Sequence, residues 1–119
     1  MIADAAPLFV LWERLAGEVL TRTQGMPKAQ RFTFAQRIDN LALDILEALA
    51  GAHYSKGAAK RRRLEEADER LLRLRVLVRL AYTQRLLDHG AYEQLARGFD
   101  EAGRMLGGWR RQQAEAGAG

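Results

Sequence analysis

The sequence predicts an all-α protein with the fold of an antiparallel up-down-up-down four-helix bundle. Leu and Ala supply 38 of the 119 residues, whereas Val, Ile and Thr supply 11, and this balance favours helix over strand. No alternating apolar and polar run of strand length is present. Apolar residues instead recur every three or four positions in four segments separated by three breaks. Four helices joined by short connections pack antiparallel.

The first two helices are predicted from their apolar stripes and their boundary residues. The first runs from Ala6 to Gln24, and Pro27 forbids its continuation. Thr33 lies three residues before Gln36, which is the spacing of a capping box, so we expect the second helix to begin at this threonine. Its apolar face ends at residues 53–57.

A long third helix is predicted from Ala58 to Asp88, and a fourth from Tyr92 to Arg111. The fourth has the most regular pattern, because its apolar residues step by three and four without interruption. A chain of this length forms one core. We therefore expect a single domain over residues 1–113, followed by a disordered tail over residues 114–119, which are small and polar.

Composition excludes several classes of protein. The chain contains no cysteine, which excludes a disulfide scaffold, an iron–sulfur site and a cysteine nucleophile. No run of 18 apolar residues without charges is present, and the N-terminal region has no basic segment before its short apolar run. We therefore expect no membrane association and a cytoplasmic location.

Catalytic motifs are absent from the sequence as well. Neither a phosphate-binding loop nor a nucleophile turn is present, and Ser55 is the only serine. The two histidines, His53 and His89, have no companions at the spacing of metal ligands. The sequence therefore predicts a protein that is not an enzyme and needs no cofactor or metal.

The charge is basic and is carried mostly by arginine. The formal net charge is +4, and 16 of the 19 basic residues are Arg. A guanidinium offers five donors in a planar fork that suits phosphate and carboxylate, so this bias indicates a polyanionic or acidic partner. A high-GC genome would produce the same bias, together with the abundant Ala and Gly.

The third helix is predicted to be apolar on two sides. Leu71, Leu74 and Val78 define the stripe that faces the core, and a second sector contains Leu72, Val76, Leu80 and Leu87. A monomeric bundle buries only one side of each helix, so we interpret the second sector as a subunit interface. The alternative is an asymmetric bundle with this helix at its centre.

Arg75 and Arg79 lie four residues apart within this apolar surface, and like charges at that spacing repel. An anionic group should therefore lie nearby and compensate the positive charge of the two arginines. One interpretation is a structural salt bridge to an acid such as Asp68, Asp39 or Asp44. The other is a groove in which the two arginines bind phosphate or the carboxylates of a partner.

Further basic residues are candidates for nucleic-acid or partner contacts. The densest basic run, residues 60–63, is followed closely by four acidic residues. Ion pairs such as Arg61 with Glu65 and Arg62 with Glu66 would neutralise this run and leave an ordinary solvent-exposed face. Contact with phosphate is the other interpretation. The complete candidate set comprises Arg75, Arg79, Lys28, Arg31, Arg61, Arg62, Arg63, Arg73, Arg110 and Arg111.

Together these segments resemble a known family. The resemblance rests on Met26-Pro27-Lys28 and Arg31-Phe32-Thr33-Phe34 before the second helix, on the Leu-Arg-x-x-x-Arg-Leu element containing Arg75 and Arg79, and on Gly103-Arg104-Met105-Leu106-Gly107-Gly108-Trp109. The sequence is similar to the accessory variability determinant (Avd) family of diversity-generating retroelements. That family groups with the four-helix proteins encoded in 23S rRNA intervening sequences, and the similarity extends over essentially the whole chain.

The resemblance implies a four-helix protomer that assembles into a barrel-shaped homopentamer with a positively charged surface. It also implies a non-catalytic accessory protein that binds a reverse transcriptase and its template RNA or cDNA without sequence specificity. Arg75 and Arg79 match the family's paired arginines, and Lys28 and Arg31 match the basic residues after its proline. The lysine- and arginine-rich tail of many members is replaced here by residues 114–119. A self-assembling protein of the intervening-sequence type, without a reverse transcriptase, is the alternative.

Overall fold

A computed structural model describes residues 7–118 of the chain. Helix α1 spans Pro7–Gln24, which confirms the first predicted helix except for Ala6, which lies outside the described residues. Its stripe of Leu11, Leu15 and Val19 is buried. The indole Nε1 of the buried Trp12 donates a hydrogen bond to the carbonyl of Ala42 on the next helix, at 2.9 Å.

The connection from α1 to α2 is a short 3-10 turn, Lys28–Gln30, followed by a π-helical turn, Arg31–Ala35, and α2 spans Gln36–Tyr54. The predicted capping box at Thr33 is therefore wrong. The Thr33 hydroxyl instead donates to the side-chain oxygen of Gln30 at 2.9 Å, because the chain is already helical at this point. The end of α2 falls within the predicted residues 53–57.

Helix α3 spans Gly57–Thr83, so its predicted end at Asp88 is wrong by five residues. The helix ends in a Schellman motif, in which the N–H of Leu86 donates to the carbonyl of Ala81 at 2.8 Å and that of Arg85 to Tyr82 at 3.0 Å. Arg85 has a φ of 63° in this motif, a left-handed conformation that glycine adopts at a lower free-energy cost.

Helix α4 spans His89–Ala118, beginning three residues before the predicted start and continuing seven beyond the predicted end at Arg111. A side-chain oxygen of Asp88 accepts a hydrogen bond from the N–H of Ala91 at 2.7 Å, which caps the helix. Residues 114–118, predicted to be disordered, are helical here. The sequence-based prediction considered only their composition, whereas these residues extend a helix that is already formed.

Each helix packs against two neighbours, in the cyclic order α1, α2, α3, α4. With short connections this is the up-down-up-down arrangement that the sequence predicts, and residues 7–118 contain no strand. One core runs through the particle, which measures 50 × 23 × 21 Å. Its largest fully buried side chains include Trp12 and Phe99, whose ring centroids lie 5.8 Å apart.

One glycine allows α1 and α4 to approach each other closely. A Cβ built at Gly98 would lie only 2.2 Å from a methyl carbon of Leu15. At Gly103 of the same helix, the nearest atom to such a Cβ would be 3.7 Å away, an ordinary contact. The close approach of α1 and α4 therefore depends on Gly98.

Candidate partner-binding surface

An exposed apolar strip runs along the outer side of α3. It consists of Leu72, Val76 and Leu80, spaced four residues apart, with 63%, 58% and 43% of their surface exposed. Because this side of α3 is open to solvent in the protomer, the alternative of a helix at the centre of an asymmetric bundle is wrong. Leu87, predicted to belong to the same sector, is buried at 7% exposure, since it follows the end of α3 and turns into the core.

Phe32 extends the apolar strip beyond α3. It lies in the π-helical turn with 78% of its surface exposed, and it lines a small groove together with Leu77 and Leu80. A second groove, of about 550 Å³, separates α2 from α3 and is lined by Leu41, Leu72, Val76 and Leu77 with polar neighbours. No periodic signal in the sequence identifies Phe32 as part of this surface, because it lies between two regular helices.

Arg75 is held by an ion pair between helices. Its guanidinium donates to the carboxylate of Asp100 on α4, and its side chain is 40% exposed. A salt bridge was one of the two interpretations of this arginine, but the acid is none of those proposed. Asp68 instead pairs with Arg110, and Asp39 accepts a hydrogen bond from Thr23.

Arg79 and Arg73 lie on the two sides of the apolar strip at 100° per residue. Arg79 is exposed and forms no ion pair within residues 7–118. Arg73 pairs with Glu69, one turn earlier, at 2.6 Å. The two arginines that the sequence predicts to act together therefore differ. Arg75 is paired within the bundle, whereas the guanidinium donors of Arg79 are free of ion pairs within residues 7–118.

The basic run at the start of α3 is not neutralised in the way the spacing predicts. Neither the Arg61–Glu65 nor the Arg62–Glu66 pair is formed, and Glu66 pairs with Arg70 at 3.5 Å instead. Arg61 and Arg62 are both exposed. Arg63 lies against α2, where a Cβ built at Gly51 would be 3.1 Å from its side chain.

The same end of the bundle carries the terminal arginines of α4. Arg110 pairs with Asp68 of α3 at 3.0 Å, and the Lys60 ammonium lies 5.8 Å from the ring centroid of Trp109, a cation–π distance. A groove of about 340 Å³ is lined by Arg61 from α3 and by Arg110 and Arg111 from α4. The structure thus brings together two basic groups that are about 50 residues apart in sequence.

Lys28 and Arg31 lie at the opposite end of the bundle. Both are exposed, and both line a groove of about 820 Å³ with Phe32 and Asp39. Burial raises the pKa of the Asp39 carboxyl, and the hydrogen bond from Thr23, at 2.6 Å, partly offsets this rise. Helix α2 separates the two ends by about 28 Å, the length of its 19 residues.

The fold and this surface define a small basic helical bundle with an unpartnered apolar strip and exposed arginines at both ends. In residues 7–118 no three His, Asp or Glu side chains are grouped as metal ligands, and no described helix is both long and apolar enough to cross a membrane.

Comparison with known proteins identifies the family. The family model described as bAvd-like matches residues 10–113. The chain therefore belongs to the bacterial accessory variability determinants, which confirms the resemblance seen in the sequence. No curated protein matches the chain. The family is associated with a reverse transcriptase system and is not known to be catalytic.

Proposed function

We propose that the chain is a non-catalytic accessory protein of a diversity-generating retroelement. In this proposal it acts in the cytoplasm as a homopentamer that binds the reverse transcriptase and its template RNA or cDNA and supports mutagenic reverse transcription. The observation that carries the proposal is the match to the bAvd-like family over residues 10–113.

The apolar strip supports the self-association step. Exposed Leu72, Val76 and Leu80 form a continuous apolar surface on α3, and such surfaces on small soluble proteins commonly mark interfaces. A second copy of the chain would remove this surface from water. Five copies, each with a net charge of +4, would carry about +20 on one particle, enough to attract nucleic acid at a distance.

Exposed arginines support the binding of anionic partners. The residues proposed to contribute are the ten identified in the sequence, and the exposed Arg79, Arg61, Arg62 and Arg111 have no ion pair within residues 7–118. Arginine binds phosphate and carboxylate in a bidentate manner. Contacts to phosphates carry no information about base sequence, so binding should depend steeply on salt and little on sequence.

Co-purification tests the proposal directly. The protein is co-expressed with the reverse transcriptase encoded beside its gene, and a tag on either protein is used to recover the other. We expect both proteins and the template RNA to elute together, and we expect RNA affinity, measured by fluorescence titration, to fall between two salt concentrations. An rRNA locus with no neighbouring reverse transcriptase gene, or recovery of the chain alone, would contradict the proposal and favour the intervening-sequence alternative.

A further inference from the structure

Three arginines at one end of the bundle are not engaged by acidic residues. Arg61, Arg62 and Arg111 are exposed and form no ion pair within residues 7–118. Of the nearby acids, Glu66 pairs with Arg70 and Asp68 with Arg110. Glu65 lines the same groove but forms no ion pair with any of the three. The positive charge of these three side chains is therefore available to a ligand.

A groove between α3 and α4 gathers this charge. Arg61 reaches it from α3 and Arg111 from α4. The Arg111 guanidinium lies back along its own helix, with one nitrogen 3.5 Å from the position that a Cβ on Gly107 would occupy. Gly107 also lines this groove, and a Cβ at that distance would make only an ordinary contact with the guanidinium. An anion bound there would receive donors from two helices at once.

The middle of α3 offers a different kind of surface. Arg75 is engaged by Asp100, and Arg79 borders the exposed Leu72 and Val76. A phosphodiester backbone has no apolar surface with which to cover leucine and valine, whereas a protein does. The arginines beside the strip are therefore suited to a protein interface, and those at the groove are suited to phosphate.

We propose that the RNA backbone binds at the groove between the N-terminal turns of α3 and the C-terminal turns of α4, through Arg61 and Arg111, which line the groove, and through Arg62, the exposed neighbour of Arg61. The Arg75–Arg79 segment then contacts a protein partner and does not bind the RNA. This inference rests on the proposed function and assigns its two partners to different parts of the bundle.

Salt dependence of RNA binding tests the assignment. The triple variant Arg61→Gln, Arg62→Gln, Arg111→Gln is titrated with fluorescent single-stranded RNA at several salt concentrations. Three lost phosphate contacts should reduce the slope of log affinity against log salt by about 2, and should lower affinity roughly hundredfold at 0.1 M salt. Circular dichroism and native mass should match those of the wild-type protein.

A second triple variant with the same change of charge is the control. Arg14→Gln, Arg22→Gln, Arg97→Gln removes three positive charges from α1 and α4 outside the groove, and its slope should remain that of the wild type. Equal loss in both variants would overturn the proposal, because binding would then be spread over the surface. A groove variant that binds RNA normally but no longer recovers the reverse transcriptase would also overturn it. If the wild-type protein binds no RNA at all, the proposed function itself fails.

Discussion

The apolar strip gives the most informative substitution. Changing Leu72 and Val76 to Gln should dissociate the proposed homopentamer and leave the protomer folded. The two side chains are 63% and 58% exposed in the protomer, and complete burial of such a side chain is worth about 1.5–3 kcal/mol. Covering the exposed part is therefore worth about 1–2 kcal/mol for each residue. The double variant should lose about 2–4 kcal/mol at each interface, which is about 30- to 700-fold in affinity.

Mass measurement by light scattering over a range of protein concentrations detects this loss. The free energy of unfolding of the isolated protomer should change by less than about 0.5 kcal/mol for each substitution, because neither side chain is part of the core. Val10→Gln is the control, since Val10 is 45% exposed on α1, away from the strip. An interface at the apolar strip is excluded if the double variant keeps the mass of the wild type at every concentration, or if Val10→Gln reduces the mass equally.

Three further predictions concern stability, measured by chemical denaturation. Gly98→Ala should lower the free energy of unfolding by about 1–3 kcal/mol, because its Cβ would lie 2.2 Å from Leu15. The control is Gly17→Ala, whose Cβ would meet no atom within 4 Å and which should raise the free energy of unfolding by about 0.5–1 kcal/mol. Arg85→Gly should raise it by up to about 1 kcal/mol by relieving the positive φ, and an unchanged value would contradict this. Burial raises the pKa of Asp39 above its ordinary value of 3.8, so the folded state binds the carboxyl proton more tightly than the unfolded state. Protonated Asp39 therefore stabilises the fold most below pH 3.8, and this stabilisation is lost as the pH rises through the raised pKa. Asp39→Asn should therefore be more stable than the wild type at pH 7, and this advantage should disappear as the pH falls below 3.8.

The helices could be predicted from the sequence wherever a breaker residue coincides with the end of an apolar stripe. Pro27 follows the end of α1 in this way, and the predicted end at Gln24 is confirmed. The end of α3 has no such signal. An arginine occupies the left-handed position, where a glycine would have marked the boundary, and Leu87 continues the helical spacing although it lies beyond the helix.

The apolar strip could also be predicted, because the presence of apolar residues on two sides of a helix follows from the periodicity of that helix alone. The partners in the ion pairs between helices could not be predicted from the sequence. Arg75 and Asp100 are 25 residues apart, and the rotation of α3 against α4 decides which acid an arginine meets. Local spacing favoured Glu65 as the partner of Arg61, yet neither side chain forms an ion pair within residues 7–118. The neighbouring acids Glu66, Glu69 and Asp68 pair with Arg70, Arg73 and Arg110.

Native mass spectrometry of the wild-type protein, alone and with template RNA, measures self-association and RNA binding in one experiment. We expect a particle of about 67 kDa, five times the 13.4 kDa chain, and an additional species with bound RNA that disappears as the salt concentration rises. A 13.4 kDa monomer at every concentration, with no RNA-bound species at low salt, would contradict it.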